Sequence, residues 1–204
     1  NFDGVGATAG VAVLDSAPGN NSFFYTLPSM MDGLSIFGNY KPQGSGAESA
    51  TGLGFTYTGV EGLSASYAVT DIETGTATTS GDQTAWKISY AYGPVTVGYG
   101  KSFKAPESTA ITAGATTAEY YENTGVSIAY AMNDELTISY TQEDNEVNYQ
   151  TSSTTAYDID VTSLQASYTV GGATLSLART EYDNISYVSG DDATETLIAV
   201  AIAF

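Results

Sequence analysis

Strict alternation of apolar and small or polar residues dominates this chain and leaves few folds open to it. In Thr196-Leu-Ile-Ala-Val-Ala-Ile-Ala-Phe204, extended backbone puts Ile198, Val200, Ile202 and Phe204 on one side and Leu197, Ala199, Ala201 and Ala203 on the other. In water such an unprotected apolar strand invites edge pairing and aggregation. Lipid against one side removes that penalty, and about ten upstream segments repeat the pattern.

Period two is the signature of a strand whose faces meet different surroundings. The apolar sides read Leu53, Phe55, Tyr57; Leu63, Ala65, Tyr67, Val69; Trp86, Ile88, Tyr90, Tyr92; and Val95, Val97, Tyr99. They continue as Val126, Ile128, Tyr130, Met132; Leu136, Ile138, Tyr140; Leu164, Ala166, Tyr168, Val170; Leu175, Leu177; and the terminal segment. Ser22 to Leu27 and Leu34 to Tyr40 are less regular candidates. The opposite sides carry Gly52, Gly54 and Thr56, Ser64 and Ser66, Ser127 and Ala129, Thr137 and Ser139, and Ser163, Gln165 and Ser167. One side is oily throughout, and the other is wet or narrow.

Connections alternate as regularly as side chains. Tight ones fall at Pro28 to Gly33, Thr58 to Gly62, Gly93-Pro94, Asn133 to Glu135 and Gly171-Gly172, where Gly, Pro, Asn and Asp supply turn geometry. Long ones fall at Lys41 to Ser49, Asp71 to Gln83, Lys104 to Ala118, Glu143 to Asp158 and Asp183 to Glu195. An antiparallel meander therefore has one compact end and one elaborated end, as outer-membrane barrels do with short periplasmic turns and longer outer loops. The spacing predicts strands of roughly 9 to 12 residues, enough to cross hydrocarbon when tilted and longer than the 5 to 6 usual in soluble sandwiches. Tyr57, Tyr92, Tyr99, Tyr130, Tyr140 and Tyr168 cap the apolar stripes where interfacial aromatic girdles would lie.

Composition narrows function. The 204 residues contain no Cys and no His, which removes disulfides, thiolate metal sites and the commonest general base. Five cations stand against 23 carboxylates, a net charge of -18 that repels nucleic acid. No apolar run approaches the ~20 residues of a membrane-spanning helix, and Asn1-Phe2-Asp3-Gly4 does not open a signal peptide. Catalysis is not expected.

The stretch Asn21-Ser-Phe-Phe-Tyr25-Thr-Leu-Pro28, leading through a turn to Gly33-Leu34 and an alternating strand ending at Tyr40, resembles a strand-turn-strand of Gram-negative general-diffusion porins. Phe204 is similar to the C-terminal signal read by the outer-membrane barrel assembly machinery. The resemblance implies an all-β, antiparallel transmembrane β-barrel, with about 11 strands present of a 16-stranded porin. Residues 1–20 then form the remainder of the pore-constriction loop and 21–204 form strands 6 to 16. It also implies a homotrimer in the bacterial outer membrane, surrounded by lipid and lipopolysaccharide, that passes small hydrophilic solutes and ions. The acidic excess adds an expected preference for cations. The rival class is a soluble or surface-displayed β-rich adhesin or fibre domain, which explains the loops but not an oily side on every strand.

Candidate sites follow from parity and from the resemblance. Lys87, Ser89, Thr137, Ser139 and Gln165 lie on the polar side and are expected to line the pore. Asp3 and Asp15 would belong to the constriction loop. Lys101, Phe103 and Arg179 share parity with the lipid side, an awkward placement for charge. Seventeen of the 23 carboxylates lie in or beside the long connections; a solvated repulsive surface explains them, and Asp191-Asp192 is a candidate oxygen site for Ca2+. No other cofactor is expected.

Overall fold

Eleven strands pair antiparallel in chain order, β1 beside β2 through β10 beside β11, in one sheet. The computed structural model describes residues 22–42, 48–74, 81–106, 117–150 and 155–202. The strands are β1 (Phe23–Thr26), β2 (Leu34–Lys41), β3 (Glu48–Tyr57), β4 (Leu63–Thr74), β5 (Gly81–Tyr92), β6 (Val95–Ala105), β7 (Ala118–Ala131), β8 (Leu136–Tyr149), β9 (Ile159–Val170), β10 (Ala173–Asp183) and β11 (Ala193–Ile202). The number of strands matches the sequence reading. Among the described residues β1 and β11 have one neighbour each, so the sheet is open.

The turns are built by the residues that demand them. Gly171 and Gly172, both at positive φ (57° and 81°), make the two-residue β9–β10 hairpin. Asn133 Oδ1 accepts from the backbone N–H of Glu135 (2.9 Å) and of Leu136 (2.8 Å), closing the β7–β8 turn. Gly62 (φ 76°) is more constrained: a Cβ there would sit 2.2 Å from the Ala91 carbonyl oxygen on the neighbouring strand. Gly93 (φ 56°) faces open space, with nothing within 4 Å. Left-handed backbone alone costs an L-residue about 1–2 kcal/mol. Gly93→Ala is expected to lose that much, and Gly62→Ala clearly more because the neighbouring strand must also move. Unfolding midpoints in denaturant decide this, and equal losses would contradict the steric argument.

Register confirms the two faces. Tyr90, Val97, Ile128, Tyr140 and Leu164 face one another across five successive strands, as do Tyr92, Val95, Tyr130 and Ile138 on four. Aromatic neighbours interlock there: Trp86 with Tyr99 at a 5.3 Å centroid separation, and Phe55 with Tyr67 at 6.0 Å. Strand contacts run between sequence neighbours, and among the described residues no second sheet covers this face. Ile198, Val200 and Ile202 remain 64–67% exposed. The total surface of 12610 Å² exceeds the roughly 9000 Å² of a compact soluble domain of 21.2 kDa.

The strands reach further than alternation predicted. β7 and β8 run to 14 residues each, so Asp144 and Glu146 lie on strand rather than in the expected Glu143–Asp158 connection. The apolar side turns polar at Gln142, which erases the hydrophobic period without ending the ladder: Gln142 still pairs with Val126 and Thr162, and Asp144 with Thr124 and Asp160.

Candidate functional site: the polar face of the sheet

Every sequence-predicted lining residue within the described segments shares one face. Ser89, Gly98, Ser127, Thr141, Ser163, Thr180 and Glu195 form one row across β5 to β11. Ser139, Gln165 and Ala178 form the next, and Thr137 pairs with Ser167 below it. Short hydroxyls bond laterally: Ser163 Oγ to Thr180 Oγ1 at 3.0 Å, and Gln165 Nε2 donating to Ser163 Oγ at 3.2 Å. Asp3, Asp15 and Phe204 lie outside the described residues.

Lys87 occupies a row that sequence reading left incomplete: Lys87, Gly100, Gly125, Glu143, Val161 and Tyr182. Two glycines without side chains separate an ammonium from a carboxylate, about 14 Å apart along the wall at ~4.8 Å per strand. Glu143 and Lys104 bound long connections in the sequence, but their parity with Ser139 and Thr141, and with Gly98 and Gly100, places both on this face. Extending the alternation past the last apolar residue would have found them.

The opposite face resolves the awkward charges. Lys101 Nζ lies 2.6 Å from Glu122 Oε1, diagonal to it on the same side of β7. Arg179 donates from Nε (3.2 Å) and Nη2 (2.9 Å) to Glu181 Oε1, two residues on. Both cations are matched by carboxylates above the apolar band, where exposed pairs contribute modestly.

Nine carboxylates also sit on that outer face, on strand ends beside the long connections. Asp71, Glu73, Asp82, Glu122, Asp144, Glu146, Asp160, Glu181 and Asp183 share parity with the apolar stripes toward the long-connection end. Asp144, Glu146 and Asp158 bring carboxylate oxygens within 4.8 Å of one another, a spacing that one divalent cation can bridge with oxygen ligands. Asp191 and Asp192, the sequence candidates for Ca2+, are not in that group. Asp192 Oδ1 instead accepts the backbone N–H of Asn184 at 3.1 Å.

A single layer, one uncovered apolar face and a hydroxyl-rich reverse are what a membrane barrel wall requires. A solved porin structure, refined at 1.8 Å resolution, superposes with a TM-score of 0.65 over 89% of this chain and 60% of that one, at 15% identity. The fold is that of a porin wall. LpxR from Salmonella typhimurium aligns over 90% of this chain and 88% of its own, at 12% identity and a TM-score of 0.40. No protein-family model and no curated protein matches the sequence. The porin-type wall described here spans 60% of the length of the porin it superposes on.

Proposed function

We propose that this porin-type wall is part of a passive outer-membrane diffusion channel for small hydrophilic solutes and ions. The observation that carries the reading is the one-layer sheet: among the described residues its apolar face has no protein cover, while its reverse carries Ser, Thr, Gly, Gln and Lys87. The free edges of β1 and β11 need partners in hydrocarbon, where unpaired backbone is strongly disfavoured. Five further strands closing a 16-stranded barrel satisfy both edges, and this mapping makes 21–204 strands 6 to 16. Trimeric assembly, contact with lipopolysaccharide and delivery by the barrel assembly machinery through Phe204 follow from the same reading. Selection by size and charge needs no catalytic group.

Cation preference changes its location. By register Glu48, Glu143 and Glu195 share the polar face with Lys41, Lys87 and Lys104, so the carboxylates of the described wall are matched by its cations. The negative excess therefore surrounds the mouth instead of lining the wall. A field from the mouth is screened within about 10 Å at 0.1 M salt and about 3 Å at 1 M. Reversal potentials of the full-length protein in planar bilayers should show a cation preference at 0.1 M that fades by 1 M. Anion preference at low salt, or a selectivity unchanged by salt, would remove this placement. No conductance at all from assembled protein would remove the channel.

A further inference from the structure

The apolar cluster at the top of this wall is on the face that should be wet. Ala118, Val147 and Ile159 are buried together with Tyr187, and Tyr121, Tyr149 and Val161 pack around them. Val147 pairs with Tyr121, and Ile159 with Asn145, so these residues share the side of Ser139 and Lys87. Ala118 joins them because β7 carries an extra residue between Ala118 and Tyr120, which lets positions 118 and 121 point the same way. Tyr187 comes from the connection between β10 and β11. To reach β7 it crosses β9 and β8, roughly 14 Å along the wall, and its ring ends 6.0 Å from that of Tyr121.

The connection is held in that position from inside. Asn184, Ser186 and Tyr187 all have positive φ (57°, 57° and 63°), a conformation that costs non-glycine residues of order 1–3 kcal/mol each and persists only where surroundings enforce it. Asn184 supplies much of the enforcement: Nδ2 donates to the Asp158 carbonyl at 3.0 Å, and Oδ1 accepts from the Gly190 N–H at 3.1 Å. Ile185 N–H donates to the Asp191 carbonyl at 2.6 Å.

We infer that the 184–192 connection is a fixed inward flap that narrows the long-connection end of the passage, with Tyr187 as its anchor and Asn184 as its staple. The inference rests on the channel reading. It makes this flap a size-limiting element built from the wall's own last connection.

Val188, beside the anchor and 55% exposed, is the test position, in a background where residues 1–204 contain no cysteine and any cysteine elsewhere in the full-length protein is replaced by serine. Val188→Cys in the full-length protein, reconstituted in planar bilayers, should lose unitary conductance stepwise when a bulky charged methanethiosulfonate reagent is added. Tyr187→Ala should raise conductance and admit larger neutral solutes. Unchanged conductance at fully labelled Val188→Cys, in a protein whose parent conducts, would overturn the flap while leaving the channel intact. If Tyr187→Ala fails to assemble, the Val188→Cys result alone decides. An assembled parent that carries no current would instead overturn the channel reading, and the narrowing with it.

Discussion

Ile128→Lys will destabilise the assembled protein by about 2–4 kcal/mol, the cost of a cation on the lipid face near the bilayer midplane. Ser127→Lys, one residue away, will cost little. The two positions differ only in face. Ile128 pairs with Val97 and Tyr140 in the middle of the apolar band, whereas Ser127 pairs with Gly98 and Thr141 among hydroxyls. Ile128 is 47% exposed, so if water covered it, lysine there would fall within the ~0.5 kcal/mol typical of surface substitutions. Equilibrium unfolding in urea from phosphatidylcholine vesicles measures both. Equal stability of the two variants would mean that hydrocarbon does not touch the stripe.

Ile159→Ala will cost about 2–5 kcal/mol, the range for truncating a fully buried aliphatic side chain. Ile159 is 0% exposed, enclosed by Ala118, Val147 and Tyr187, and its carbonyl accepts Asn145 Nδ2 at 3.1 Å. Walls fixed by a bulge on β7, by β8 and by a stapled connection cannot collapse into the gap. Ile198→Ala on β11, 67% exposed on the apolar face, should cost much less because mobile lipid chains fill the space. A guanidinium series in the same vesicles separates them. Parity between Ile159→Ala and Ile198→Ala would show that the cluster holds nothing rigidly.

Much of the wall was legible because the determinants are local. Side chains on successive strand residues point to opposite faces whatever the strand pairs with, so Lys87, Ser89, Thr137, Ser139 and Gln165 could be assigned to one face from parity alone. The hairpins were legible for the same reason, since Gly171-Gly172 or Asn133 dictates a turn within a few residues. Strand length was not. Where both faces become polar, as from Thr141 to Glu146, hydropathy has no period left to read, and the ladder between Asp144 and Asp160 shows that the strand continues.

Asn184-Ile185-Ser186 has the form of a glycosylation sequon, yet the structure makes Asn184 a staple whose partners, Asp158 and Gly190, lie 26 and 6 residues away. The cluster of Ala118, Val147, Ile159 and Tyr187 was equally hidden, because it depends on a one-residue bulge and on the register of β7 to β9. What residue order alone determined is which side of each strand is apolar and where the chain must reverse, since both follow from backbone geometry over two to four residues. Only tertiary pairing decided how far the strands run, which carboxylates meet, and that the last connection lies over the polar face, because those outcomes require residues up to about 70 positions apart to be brought into one register.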